Sequence, residues 1–75
     1  MTIFGIKMKE RGVTMYQLSS ETGIPACTLY NWARGSHRPQ GWSGEMEKVV
    51  QAAYAHGVKL SYGDFITEGG ANVNL

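Results

Sequence analysis

The stretch "TMYQLSSETGIPACTLYNWARG", residues 14–35, sets two helix-length runs on either side of one glycine, with only three or four residues to turn between them. That spacing constrains the fold more than anything else in the chain. Thr14 is a good N-cap for a helix over Met15–Thr22, because its hydroxyl can accept from a free N–H of the first turn. Leu18 points inward and Ser19 is small, as two closely approaching helix backbones require. Gly23 supplies the positive φ that a sharp helix exit needs. Ile24-Pro25 then opens a further helix to about Ala33, closed by Gly35; proline suits a helix start, where its missing N–H is not needed. Leu29 and Trp32, three apart, form that helix's inward face.

Helical patterns continue on both sides. Thr2 can cap a helix over Ile3–Arg11, with Phe4 and Met8 on one face and Gly12 at its end, although Gly5 weakens its first turn. Gly35 to Gly41 reads as a loop, and Trp42 as an apolar anchor for the next helix entry. Ser43 caps a helix reaching about His56. In it Met46, Val49, Val50 and Ala53 follow helical periodicity, and Glu45 and Glu47 suit the positive end of its dipole. A short last helix around Ser61–Ile66 tucks Leu60, Phe65 and Ile66 onto the core. The expectation is one all-α domain, residues 1–66, built as a compact bundle of about five short helices. Residues 67–75, with two glycines and little to bury, read as a flexible tail.

A chain of 75 residues sits near the lower size limit for independent folding, and its one cysteine, Cys27, can form no internal disulfide. A second copy of the chain is the expected stabiliser. Cys27, His37 and His56 lack the paired spacing of zinc ligands, so no metal or cofactor is expected. No apolar run is long enough to span a membrane. The free thiol and the lack of a signal peptide point to a cytoplasmic protein.

Net charge is only +1, but its distribution is informative: no acidic residue falls between Glu21 and Glu45, while Arg34, His37 and Arg38 lie inside that gap. An anionic partner would meet a locally basic surface there. The face of the 24–33 helix turned away from Leu29 and Trp32 carries Ala26, Cys27, Tyr30, Asn31 and Arg34, without lysine or acid. Asn31 can pair bidentately with adenine, Ala26 can touch a thymine methyl, and Arg34 can reach a phosphate or a guanine. Catalysis is not expected. No base or oxyanion donor accompanies Cys27, and no acid–base pair is present.

Helix, short glycine turn, helix is the unit that inserts its second helix into the DNA major groove. On Thr14, Leu18, Ser19, Gly23, Ile24, Leu29, Trp32 and Gly35 the chain resembles the Cro and phage-repressor family of helix-turn-helix proteins. The likeness is strong over residues 14–35 and looser over 3–66, where "GVKLSYGDFI" is similar to the family's closing helix. It implies a lambda-repressor-like fold and a transcriptional regulator, a Cro-like phage or prophage repressor that binds a pseudo-palindromic double-stranded DNA operator as a homodimer. No small-molecule ligand is expected. Ala26, Cys27, Tyr30 and Asn31 would read bases. Thr14, Met15, Thr28, Arg34, His37 and Arg38 would face the DNA backbone. Two departures stand out. Met15 replaces a glutamine that in the family holds a phosphate, and Met8 and Ala33 replace an arginine–glutamate pair, which predicts an apolar seam. An antitoxin or excisionase-like factor, or a protein-interaction adaptor on the same fold, are the alternative readings.

Overall fold

Among the described residues four glycines adopt the left-handed conformation, and three of them, Gly12, Gly23 and Gly35, end successive helices. The computed structural model describes residues 1–39 and 43–67. Within them lie α1 (Ile3–Arg11), α2 (Met15–Thr22), α3 (Ala26–Arg34), α4 (Gly44–Ala55) and α5 (Tyr62–Ile66), a compact all-α bundle. Thr2, Thr14 and Ser43 each accept a first-turn N–H through the side chain, so the caps expected at those positions form. Trp42 and the tail beyond Thr67 lie outside the described residues.

The core gathers one face from each helix: Phe4 and Met8, Leu18, Leu29 and Trp32, Met46 and Val49 and Ala53, and Phe65. Phe65 stacks on Phe4 at 4.7 Å between centroids and meets Trp32 edge-on at 5.8 Å. Such aromatic pairs contribute about 0.5–1.5 kcal/mol beyond the area they bury. Phe65 is 0 % exposed, tucked onto the core as expected of the last helix, and so offers no apolar surface for self-association. Val50, expected in the core, is only half-buried against it.

Two features of α1 correct the sequence reading. Gly5 is not a weak point but a close-packing site: a Cβ there would stand 2.8 Å from the Ala33 carbonyl oxygen. Thr2 does more than cap. It is 1 % exposed, and its hydroxyl donates to the Trp32 and Ala33 carbonyls while accepting from Gly5 N–H. The start of α1 is thereby fastened to the end of α3. At the other side Lys7 Nζ bonds both Lys59 O and Asp64 Oδ2, while Asp64 also accepts from Ser61 N–H, which anchors α5.

Candidate nucleic-acid interface

Gly23, Ile24 and Pro25 separate α2 from α3. Three side-chain bonds stiffen the connection. Ser19 Oγ donates to Ile24 O at 2.6 Å, Thr22 Oγ1 donates to Leu18 O, and Thr22 Oγ1 accepts from Ile24 N–H. Ile24 itself is buried and pins the turn to the core. The two helices therefore share one rigid platform, and α3 is held along one side only.

That side is Leu29, Trp32 and Ala33. At about 100° per residue, Cys27, Tyr30, Asn31 and Arg34 form the arc opposite them, with Ala26 and Thr28 on its two flanks. Cys27, Tyr30 and Arg34 are exposed, whereas Ala26, Thr28 and Asn31 are half-buried. Arg34 Nη2 donates to Asn31 Oδ1 at 2.9 Å, so the two polar groups of the arc hold each other in place. The Asn31 amide nitrogen keeps its donors, and Oδ1 keeps a second lone pair. The carbonyl of Asn31 also accepts from Gly35 and Ser36 N–H, which fixes the chain leading to exposed His37 and Arg38.

Thr14 is exposed at the head of α2 and uses its oxygen to accept from Gln17 N–H, leaving its hydroxyl proton to donate outward. Met15 does not join it. Its side chain is 6 % exposed and belongs to the core cluster, where an apolar group gains more than in water. The Met15 side chain is therefore not part of a backbone-facing set, and only its main-chain N–H at the head of α2 could be. Sequence reasoning also passed over Tyr16. It is 69 % exposed and meets Tyr30 edge-on at 5.8 Å, extending the face of α3 onto α2. An exposed tyrosine one position before an exposed polar residue carries no periodic signal, and only the crossing of the helices brings the pair together.

A comparison of the chain with family models, with curated proteins and with solved structures finds no match. The functional reading therefore rests on this surface and on the chemistry of its residues.

Proposed function

We propose that the chain is a sequence-specific double-stranded DNA-binding regulator of the helix-turn-helix type, a Cro-like repressor that works as a homodimer. The observation that carries this reading is the outward arc of α3. It lacks acidic groups, it is held rigidly by a three-residue turn, and it offers an asparagine, an arginine and a tyrosine on one side. In this reading Asn31 pairs with an adenine edge, and Tyr30, Ala26 and Cys27 give apolar contact to bases. Thr14, Thr28, Arg34, His37 and Arg38, with the first N–H groups of α2, meet phosphates and set the register. One α3 of nine residues spans few base pairs, so two copies on half-sites about 34 Å apart supply the rest.

Selection of bound duplexes from a random library tests the proposal. A two-fold symmetric motif is expected, and inserting five base pairs at its centre should abolish tight binding by turning one half-site to the opposite DNA face. Recovery of no preferred sequence would reject it.

One observation favours a second reading, an adaptor that binds protein through the same face. Tyr16 and Tyr30 form an exposed aromatic pair beside Arg34, the residue types that concentrate binding energy at protein interfaces. Under that reading Tyr16→Ala abolishes partner binding and no duplex is selected.

A further inference from the structure

The end of α1, the head of α2 and the flank of α3 enclose an open cavity of about 550 Å³, within the size range of small-molecule sites. Met1, Tyr30 and the edges of the buried Val13, Met15 and Ala33 give it apolar walls, and Gly12 sits at its edge, where a Cβ would meet no atom within 4 Å. Lys9 and Arg34 line it too, and no acidic residue does. Lys9 forms no ion pair among the described residues, and Arg34 bonds only the neutral Asn31. Apolar walls flanked by two unneutralised cations match a ligand with an apolar body and one negative charge.

We propose that this cavity binds a small amphipathic carboxylate, its hydrocarbon body against Met1, Tyr30 and the exposed edges of Val13, Met15 and Ala33, and its charge met by Lys9 and Arg34. A singly charged head suits the site better than a phosphate dianion, because an apolar cavity penalises each additional charge it must desolvate. Arg34 offers the planar donor fork that carboxylates accept in pairs. Thr14, Tyr30 and Arg34 belong both to this cavity and to the proposed DNA face, so an occupied cavity takes Arg34 from Asn31 and weakens DNA binding. That coupling, unlike the site itself, rests on the DNA-binding reading.

The test is a titration of ¹⁵N-labelled protein with submicellar decanoate, and with decanol as its uncharged counterpart. Saturable shifts at Gly5, Gly12, Val13 and Ala33 are expected, with decanoate bound about tenfold or more tighter than decanol. Lys9→Glu, an exposed change, should weaken decanoate about tenfold and leave decanol unchanged. Absence of saturable shifts, or equal affinity for the two compounds, overturns the proposal. Concentration-dependent shifts of the same amides without ligand overturn it as well, since a second copy of the chain would then fill the cavity. Added decanoate should also displace a duplex found by selection. Decanoate bound by a protein that selects no duplex would remove the regulatory coupling and leave the site standing.

Discussion

The hydroxyl of Ser19 donates a 2.6 Å hydrogen bond to the carbonyl oxygen of Ile24, across the turn that sets α3 against α2. A small side chain at this position satisfies the packing of two close helices. The bond asks for a donor as well, and the two demands separate experimentally. Ser19→Ala keeps the size and removes the donor, leaving the carbonyl of a buried residue without that partner. It should cost about 1–2 kcal/mol in urea unfolding. A variant as stable as the parent would mean that size alone matters there.

Gly5→Ala sets two effects against each other. Alanine is favoured in a helix interior by about 1 kcal/mol. The new methyl, however, would stand 2.8 Å from the Ala33 carbonyl oxygen and 3.1 Å from the Ala33 Cβ. A backbone oxygen cannot swing aside, and overpacking of this kind costs about 1–3 kcal/mol. Thermal unfolding should therefore show a lower Tm. A raised Tm would mean that α1 slides freely over α3.

Ala33→Glu places a carboxylate where the side chain is buried beside Gly5. The loss should be about 2–4 kcal/mol at neutral pH. Burial raises the folded-state pKa of the new carboxyl above its unfolded value of about 4.3, so the charge penalty is absent below that pH, grows as pH rises from the unfolded to the folded pKa, and levels off above it. Stability curves of parent and variant should converge in acid. A pH-independent difference would point to steric overpacking instead.

On DNA, Asn31→Ala and Arg38→Ala should separate reading from positioning. Asn31→Ala should cost about 1–3 kcal/mol and relax preference at one base pair per half-site. Arg38→Ala should weaken all sequences alike and reduce the salt slope by about one per protomer. Binding measured over a salt series on matched and mismatched duplexes distinguishes the two patterns. A uniform loss for Asn31→Ala would reassign it to the backbone.

Helix limits were largely legible in the sequence because their causes are local. Thr14 and Ser43 cap whatever follows them, and Gly12, Gly23 and Gly35 stop whatever precedes them. What a side chain faces was less legible, because that depends on segments far away in the chain. Met15 stands between exposed Thr14 and exposed Tyr16, yet its side chain is in the core. Gly5 reads as a helix weakener until Ala33 is brought against it. In the candidate site, the arc of Cys27, Tyr30, Asn31 and Arg34 follows from helical periodicity alone. The Arg34–Asn31 bond and the Tyr16–Tyr30 pair need rotamers and a helix crossing, which no periodicity encodes.

The fastening of Thr2 to the end of α3, beside the bond from Ile3 N–H to Thr67 O, has a kinetic consequence. Residues near both ends of the described chain and the last turn of α3 converge there, and such closure loses much chain entropy before any contact rewards it. The α2–turn–α3 unit closes through near neighbours and can form early. Ser19→Ala should then slow folding, whereas Thr2→Val should chiefly speed unfolding. The native protein would open first at this clasp, so amides of the first turn of α1 should exchange with solvent sooner than those of α2, while the turn between α2 and α3 is still intact.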